Sequence, residues 1–248
     1  MKFEGKTAVV TGAASGIGKA TATELARSGA RVFIADINDT AGSAMQAELR
    51  SAGLKADYLK IDVTKPASVD EFAKQVLASV GRVDILVNAA GWGKTEPFVQ
   101  NSPEFWDTVI QINLMGPIRL TRALLPPMIE AKYGKIVNVA SDAGRVGSLG
   151  ETVYSAAKGG LIAFTKGLAR EGARYNVTAN CVCPGPTDTP LMAAVPEKVK
   201  EALIKAIPVR RLGKPQEVAD AILFFASSRS DYVTGQVLSV SGGLTMVG

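Results

Sequence analysis

Short apolar runs rich in β-branched residues alternate along this chain with longer segments of helical periodicity, and this alternation restricts the possible folds. Most of the short runs are apolar at successive positions, as expected for parallel strands covered on both faces. The pattern predicts an α/β fold, a doubly wound parallel sheet of about seven strands (a Rossmann fold), with right-handed crossovers. The predicted strands are Thr7–Val10, Val32–Ala35, Ala56–Ile61, Ile85–Asn88, Ile136–Ala140, Thr178–Val182 and Gln236–Val240. The predicted helices are Lys19–Ser28, Thr40–Ala52, Ser68–Val80, Glu104–Lys132, Val153–Arg174 and Gln216–Ala226.

No linker or change in composition divides the 248 residues, so we expect a single domain over residues 1–248. One segment, residues 186–208, is a long excursion bounded by proline before the last predicted helix. Long excursions in compact domains are often lids or binding loops. We therefore predict a substrate lid there, with a plain surface excursion as the alternative.

Charge and composition exclude several classes of function. The formal net charge is +5 without a dense basic run, so we expect no nucleic-acid partner, although the excess could favour an anionic small-molecule substrate. No apolar run reaches the roughly 18 residues that span a bilayer, and no signal sequence is recognisable, so we expect a cytoplasmic protein without a membrane partner. Because the chain has no histidine, Cys181 and Cys183 are interpreted as strand packing, and no metal site is expected.

The first predicted strand leads through a glycine-rich loop into a helix. Gly12 permits a tight turn, Gly16 lets the backbone approach a pyrophosphate, and Gly18 lets the helix pack close to the strand. Ser15 and Ile17 complete this loop, and the free N–H groups of the helix start would face the phosphates. The spacing is G-x3-G-x-G, and its position between strand and helix indicates a dinucleotide site.

An acidic residue, Asp36, ends the second predicted strand. A carboxylate there can accept hydrogen bonds from both adenosine ribose hydroxyls and would repel a 2′-phosphate, so NAD is the expected cofactor. The loop has Ser15 rather than a cationic residue at this position, which also favours NAD over NADP. The alternative role of Asp36 is a helix N-cap, for which Asp39 or Thr40 is better placed.

Further cofactor contacts are expected at the ends of later strands, where open α/β sheets bind ligands. Asp62 and Val63 are placed to border the adenine. Asn88, Ala90 and Gly91 belong to a segment small enough for the backbone to pass close to the cofactor.

A serine, a tyrosine and a lysine form the predicted chemical centre. Ser141 ends the fifth strand, and Tyr154 and Lys158 lie four apart on one helix face. A tyrosine, with a pKa of about 10, becomes an effective base near neutral pH if its pKa falls by about 3 units, which requires about 4 kcal/mol. An ammonium near 4 Å supplies roughly that energy at an effective dielectric near 20. We therefore expect Tyr154 to be the acid/base, Lys158 to activate it, and Ser141 to hold the substrate oxygen.

Together these segments resemble the short-chain dehydrogenase/reductase family over essentially the whole chain. The resemblance rests on TGAASGIG, Asp36, Asp62-Val63, NAAG, Asn113 in INLMG, Ser141, YSAAK and PGPTDT. It implies a catalytic set of Asn113, Ser141, Tyr154 and Lys158, in which Asn113 holds a water of a proton relay and Lys158 also binds the nicotinamide ribose. It implies further cofactor contacts from Pro184, Gly185, Thr187 and Thr189. The family usually has asparagine where this chain has Ala89, so we expect an effect on stability there.

The same resemblance guides the expected substrate. It assigns the pocket to Trp92–Lys94, 142–150 and the lid, with Trp92, Ser141, Ala143, Leu149 and Tyr154 as substrate contacts. Three segments are similar to members that act on a cyclic 3-hydroxyacyl-CoA such as 2-hydroxycyclohexanecarboxyl-CoA. Open alternatives are another NAD-linked cyclic-alcohol or 3-hydroxyacyl dehydrogenase, a 3-oxoacyl-carrier-protein reductase, which Asp36 disfavours where it depends on NADPH, and a non-enzymatic dinucleotide sensor, which the intact catalytic set disfavours.

The assembly is expected to be a homotetramer. Two predicted helices, Glu104–Lys132 and Val153–Arg174, carry apolar residues on more than one face, and symmetric oligomers bury such patches. The apolar residues in question are Leu120, Leu124, Leu161, Phe164 and Leu168. The resemblance adds the C-terminal strand as a second contact, and places 244–248 near a neighbouring subunit's active site.

Overall fold

The structure, a computed structural model, describes residues 1–247 and confirms the predicted parallel sheet. In this part of the chain seven strands pair in the order β3-β2-β1-β4-β5-β6-β7, and each neighbouring pair is parallel. The strands are β1 (Thr7–Thr11), β2 (Arg31–Asp36), β3 (Ala56–Lys60), β4 (Ile85–Asn88), β5 (Gly134–Val139), β6 (Val177–Pro184) and β7 (Val237–Val240). The strand order reverses direction between β1 and β4, which opens a crevice at their carboxyl ends where ligands of such sheets bind.

Helices cover both faces of the sheet. They are α1 (Gly16–Arg27), α2 (Asp39–Ser51), α3 (Pro66–Val80), α4 (Pro103–Ile110), α5 (Gly116–Glu130), α6 (Ala143–Val146), α7 (Thr152–Gly172), α8 (Pro190–Ala193), α9 (Glu197–Ala206) and α10 (Pro215–Ala226). One core packs α1, α2 and α10 on the sheet, and the second packs α3, α5 and α7 on the opposite face. None of the helices described combines the length and apolar character needed to cross a membrane.

Strand β1 shows why apolar runs predicted this architecture. Ala8 and Val10 belong to the core under α1 and α10, whereas Val9 between them belongs to the core under α3 and α5. All three are fully buried, because successive side chains of a strand point to opposite faces and both faces are covered.

The predicted helix Glu104–Lys132 is wrong in one respect, because the structure divides it. Helix α4 ends at Ile110, a π-helical turn spans Gln111–Met115, and α5 begins at Gly116. Pro117 has no N–H to donate to the carbonyl of Asn113 four residues earlier, so the α-helical ladder is interrupted at this position. The turn lies at the carboxyl end of the sheet, where it presents Asn113.

The boundaries of two other segments also differ from expectation. The N-cap of α2 is Asn38, whose side chain accepts a hydrogen bond from the N–H of Ala41, so neither Asp39 nor Thr40 is the cap. The predicted lid, 186–208, contains the helices α8 and α9. Its closing function stays a prediction.

Candidate active site

The glycine-rich loop adopts the backbone that its sequence predicts. Gly12 and Gly16 have positive φ angles of 63° and 50°, which side chains with a Cβ rarely adopt. At Gly18 a Cβ would lie 2.1 Å from the carbonyl oxygen of Gly12, so only glycine lets α1 start this close to β1. Ser15 precedes α1 and makes no capping bond with its side chain, while Ile17 packs against the core. The result is an open helix N-terminus at the switch point of the sheet, which suits a pyrophosphate.

Asp36 is held at the adenosine end of this crevice. Its Oδ2 accepts a hydrogen bond from the N–H of Ala14 at 2.9 Å, and its Oδ1 accepts one from the N–H of Asn38 at 3.0 Å. Both carboxylate oxygens are therefore fixed between the glycine-rich loop and the start of α2. A carboxylate has further lone pairs, which remain able to accept ribose hydroxyls.

Asp62 and Val63 follow β3 on the same edge of the sheet. Asp62 Oδ1 accepts hydrogen bonds from the N–H of Thr64 at 3.0 Å and from its hydroxyl at 2.6 Å. Burial alone would raise the pKa of Asp62, but the hydrogen bonds from Thr64 together with the nearby ammonium of Lys65 outweigh it and lower that pKa. Val63 packs on the start of α5, where a Cβ on Gly116 would lie 2.8 Å from the Val63 Cβ. The loop is thus rigid and close to the π-helical turn.

The segment after β4 passes close to the glycine-rich loop. The hydroxyl of Thr11 accepts hydrogen bonds from the N–H groups of Ala89 and Ala90, both at 3.0 Å. Gly91 continues this segment, and a Cβ there would lie 3.2 Å from Asn113 Oδ1 and 3.4 Å from Lys158 Nζ. The small residues at these positions therefore bring the loop against the catalytic set.

Asn88 does not point at the cofactor crevice. Its amide is 1% exposed and donates to Asn138 Oδ1 at 2.8 Å and to the Thr121 hydroxyl at 3.2 Å. The Asn138 amide in turn donates to the hydroxyl of Thr165. The Asn88 side chain thus braces β4 against β5 and α5, and any contact with the cofactor at this position falls to its backbone and stays a prediction.

The end of β6 forms the opposite wall of the crevice. Beyond Pro184, a Cβ on Gly185 would lie 2.8 Å from the Ser241 Cβ, and the Thr187 hydroxyl donates to the carbonyl of Gly185 at 2.9 Å. Thr189 caps α8 and packs over the glycine-rich loop, where a Cβ on Gly16 would lie 3.3 Å from the Thr189 Cγ2. The two loops expected to bind phosphate therefore face each other.

Ser141, Tyr154 and Lys158 converge at the carboxyl end of β5. The Ser141 hydroxyl interacts with the Tyr154 phenol and accepts a hydrogen bond from the N–H of Ala143 at 3.1 Å. Lys158 is 3% exposed, its Nζ lies 5.6 Å from the centre of the Tyr154 ring, and it donates to the carbonyl of Val139 at 2.9 Å. The structure thus brings together the three residues that the sequence predicts for acid/base chemistry.

The electrostatics of this set differ from the expected activation of tyrosine. Burial raises the pKa of Tyr154, the charge of Glu151 raises it further, and only the bond with Ser141 lowers it. Burial also lowers the pKa of Lys158 to about 8. The protein surroundings therefore favour a neutral phenol, because desolvation and the charge of Glu151 outweigh the bond with Ser141.

Asn113 anchors the loop that follows β4. Its Nδ2 donates to the carbonyl of Trp92 at 2.6 Å and to that of Val109 at 2.9 Å, while its Oδ1 accepts from the N–H of Trp92 at 3.2 Å. The side chain is therefore committed to the backbone. Pro117 has no N–H to donate to the main-chain carbonyl of Asn113, and the relay water at this carbonyl stays a prediction.

The expected substrate contacts fall into two groups. Ala143 lies beside Ser141, and Trp92 packs edge to face on Phe105 with ring centres 5.6 Å apart. Leu149 is 98% exposed, in a turn whose next residue, Gly150, accepts a hydrogen bond from Glu96. The structure does not pack Leu149 against the catalytic set, and its contact with substrate stays a prediction.

Within the predicted pocket segments, the structure gives individual roles to residues that the sequence did not single out. A Cβ on Gly93 would lie 3.1 Å from Tyr154 Cδ2, so this glycine sets the space beside the phenol ring. Asp142 accepts a hydrogen bond from the Ser239 hydroxyl, which in turn accepts one from Arg145 at 2.7 Å. Arg145 also donates to the carbonyl of Val247. The chain's own tail thus contacts the loop after Ser141, and no local motif signals a contact across about a hundred residues.

Comparison with known proteins agrees with this geometry. A family model described as enoyl-(acyl carrier protein) reductase matches residues 12–245, which is most of the chain. The chain belongs to the short-chain dehydrogenase/reductase family. It is therefore an oxidoreductase of the kind that uses a nicotinamide dinucleotide.

Relatives extend over the whole length of the chain. The 3-oxoacyl-[acyl-carrier-protein] reductase FabG of Thermotoga maritima is 42% identical over 99% of this chain and 100% of its own. The (2S)-[(R)-hydroxy(phenyl)methyl]succinyl-CoA dehydrogenase subunit BbsD of Thauera aromatica is 40% identical over 99% of each. A crystal structure described as a candidate gluconate dehydrogenase from Agrobacterium tumefaciens is 34% identical, with a TM-score of 0.94 over 99% of this chain and 98% of that chain.

Proposed function

We propose that this protein is an NAD-dependent oxidoreductase that interconverts a secondary alcohol and a ketone on an acyl thioester. The observation that carries the proposal is the position of the Tyr154 phenol, which interacts with Ser141 and packs against Gly93 with buried Lys158 behind it. A hydroxyl and a phenol on one side of a narrow space suit a single substrate oxygen that gains or loses a proton.

The residues present fit a nicotinamide dinucleotide. A Cβ at Gly12 would lie 2.9 Å from the Cα of Ala90 after β4, and one at Gly16 would lie 3.3 Å from the Cγ2 of Thr189 after β6, so glycine keeps the space between these loops open. Asp36 is fixed at one end of that space, and Lys158 and Tyr154 lie at the other. When bound, the nicotinamide supplies the acceptor or donor of a hydride.

The chain's own groups account for the proton. In alcohol oxidation the Ser141 hydroxyl holds the substrate oxygen, and the Tyr154 oxygen accepts the hydroxyl proton. Because burial opposes a phenolate, the ammonium of Lys158 is needed as a nearby positive charge when that phenolate forms. The Asn113 carbonyl holds the water through which the proton leaves by way of Lys158. Ketone reduction runs the same steps backwards, with Tyr154 as the acid.

Among acyl thioesters we favour a cyclic 3-hydroxyacyl-CoA such as 2-hydroxycyclohexanecarboxyl-CoA. One relative, BbsD, is named for dehydrogenation of a CoA ester that carries a phenyl ring next to the alcohol carbon. Gly93 beside Tyr154 and Ala143 beside Ser141 are small, so a ring has room there, with Trp92 as a wall. The second candidate is a 3-oxoacyl-carrier-protein reductase, which the similarity to FabG favours.

A substrate panel with matched carriers tests this proposal. We expect the kcat/KM for NADH formation to be at least about tenfold higher with 2-hydroxycyclohexanecarboxyl-CoA than with free 2-hydroxycyclohexanecarboxylic acid, because the CoA moiety adds binding energy remote from the reacting carbon. A linear 3-hydroxyacyl-CoA and the same acyl group on carrier protein complete the panel. Higher kcat/KM for the carrier-protein form would transfer the assignment to the second candidate, and no turnover of any member would contradict the proposal.

The cofactor preference has its own test. Asp36→Ala removes the carboxylate that would repel a 2′-phosphate, so the ratio of kcat/KM for NAD to that for NADP should fall by about tenfold or more. Steady-state kinetics with both cofactors measures the ratio. A wild-type protein that uses NADP better than NAD would refute the preference, whatever the variant does.

We also propose a cytoplasmic homotetramer, although the apolar residues that first suggested it do not support it. Leu120, Leu124 and Leu161 are fully buried within the chain itself, Leu168 is nearly so, and Phe164 is partly buried. A groove of about 550 Å³ nevertheless lies beside α5 and α7, and its lining is partly apolar, with Leu125, Ile129 and Tyr175, and partly charged, with Arg170, Glu171 and Arg174. A second copy packed there would cover it. Light scattering should then report about four times the 25.9 kDa chain mass.

A further inference from the structure

A lysine lies next to the carboxylate expected to select the cofactor. In the parallel pairing of β2 and β3, Lys60 is the direct partner of Asp36 at the carboxyl end of both strands. Paired residues of neighbouring strands place their side chains on the same face of the sheet. Lys60 therefore extends from the strand position next to Asp36 and on the same face of the sheet, although Asp36 alone predicts a site that repels phosphate.

Helix α2 engages this lysine. The Lys60 ammonium donates a hydrogen bond to Asp39, the first residue of α2, and forms an ion pair with it. The Tyr58 hydroxyl donates to the other Asp39 oxygen at 2.8 Å, and its oxygen lies 3.2 Å from the carbonyl oxygen of Asp36. The bond from Lys60, and secondarily that from Tyr58, lower the pKa of Asp39. Asp39 is thus a charged group that Lys60 and Tyr58 of β3 hold near the end of β2.

A second lysine near the glycine-rich loop is engaged in the same way. Lys19, in the first turn of α1, has its Nζ 2.9 Å from Glu48 Oε2 of α2. Two acidic residues of α2, Asp39 and Glu48, therefore each pair with a lysine, one at the end of β3 and the other in the first turn of α1. Lys60 is the one whose strand position pairs with Asp36.

We propose that Asp39 is a second specificity-determining residue, which excludes a 2′-phosphate by holding Lys60 away from it. Asp36 repels the phosphate, and Asp39 occupies the neighbouring cation that would otherwise compensate for this repulsion. The inference rests on the proposed preference for NAD. It goes beyond that proposal because it assigns the preference to a pair of opposing carboxylates around one lysine.

Direct binding of two adenosine fragments tests the inference without turnover. Titration calorimetry would give the Kd of 5′-AMP and of 2′,5′-ADP for the wild type, Asp39→Asn and Asp39→Asn/Lys60→Met. We expect Asp39→Asn to tighten 2′,5′-ADP relative to 5′-AMP by roughly fivefold, because it frees Lys60 for a charge-assisted bond with the 2′-phosphate. The double variant should lose this gain, and added salt should reduce it.

A matched control separates this effect from net charge. Glu24→Gln removes one negative charge from an exposed pair with Arg27 at the far end of α1, and should leave the ratio of the two Kd values unchanged. The inference is overturned if Asp39→Asn gives no gain, if the gain persists in the double variant, or if Glu24→Gln reproduces it. A wild type that prefers NADP would refute the proposed cofactor instead, since the comparison of the two Asp39 variants uses only differences between variants.

Discussion

A buried lysine lies at each end of strand β5, one in the strand itself and one in α7, and the two ammonium groups have different partners. At its start, Lys135 is 2% exposed, and its Nζ lies 2.7 Å from Asp231 Oδ1. At its end, Lys158 of α7 is 3% exposed and donates to the carbonyl of Val139 at 2.9 Å. Within residues 1–247 no Asp or Glu forms an ion pair with Lys158. A carboxylate thus neutralises Lys135 at one end of the strand, whereas Lys158 at the other end is bonded to a neutral carbonyl.

The difference agrees with the position of ligand sites in open α/β sheets, which lie at the carboxyl ends of the strands. A charge buried without a carboxylate costs free energy, which is why burial lowers the pKa of Lys158 to about 8. Such a cost persists where the charge serves chemistry, and Lys158 lies at the carboxyl edge beside Tyr154. Lys135 lies at the opposite edge, where an ion pair only stabilises the fold. The comparison predicts that the two lysines affect activity and stability in opposite proportions.

The largest expected effect is on turnover. Lys158→Met should lower kcat by at least about 100-fold, because the phenolate of Tyr154 loses its nearby positive charge. Lys135→Met, the matched change at the other end of β5, should leave kcat within about twofold. Steady-state rates with the best substrate of the panel measure both. Equal losses in the two variants would mean that a buried lysine matters here only for folding.

A smaller effect is expected on stability, with the opposite sign. Lys158→Met should raise the free energy of unfolding at pH 7 by about 1–2 kcal/mol, because it removes a desolvated charge at the cost of one hydrogen bond. Lys135→Met should instead lower it, because it removes one partner of the ion pair with Asp231 that stabilises the fold. Urea unfolding of both variants measures the difference. A Lys158→Met protein that is less stable than Lys135→Met would contradict this account.

The same cost should appear as a dependence of stability on pH. The pKa of Lys158 is about 8 in the folded chain, below its ordinary value of 10.5, so the unfolded chain binds more protons between these values. The free energy of unfolding of the wild type should therefore increase by up to about 3 kcal/mol as the pH rises from about 8 towards 10.5. Below pH 8 both states are protonated, and this contribution is absent. In Lys158→Met the rise should disappear, and its persistence would assign it to another group.

The two ends of β5 also differ in how far the sequence predicts them. Lys158 is predicted because it lies four residues after Tyr154 on one helix, so local spacing alone places both on one face. The sheet is equally predictable, since strands such as β1 are apolar on both faces. The pair of Lys135 with Asp231 joins residues almost a hundred positions apart, and neither belongs to a local pattern.

Near the site, a helix boundary and the direction of one side chain were not predicted. The break at Gln111–Met115 was hidden because α4 and α5 share one apolar periodicity, although Gly116-Pro117 is the local signal that could have indicated it. The sequence also does not predict where the side chain of Asn88 points. Its direction depends on Asn138 and Thr165, which only the tertiary structure brings to it.

The central claim is that Tyr154 transfers the proton at a site that binds a nicotinamide dinucleotide. Tyr154→Phe removes only the phenol oxygen and leaves the ring packed against Gly93. We predict that NADH binding, followed by its fluorescence, stays within about twofold of the wild type, while kcat falls by at least about 100-fold. A variant that binds NADH normally and turns over at a near-normal rate would contradict the claim.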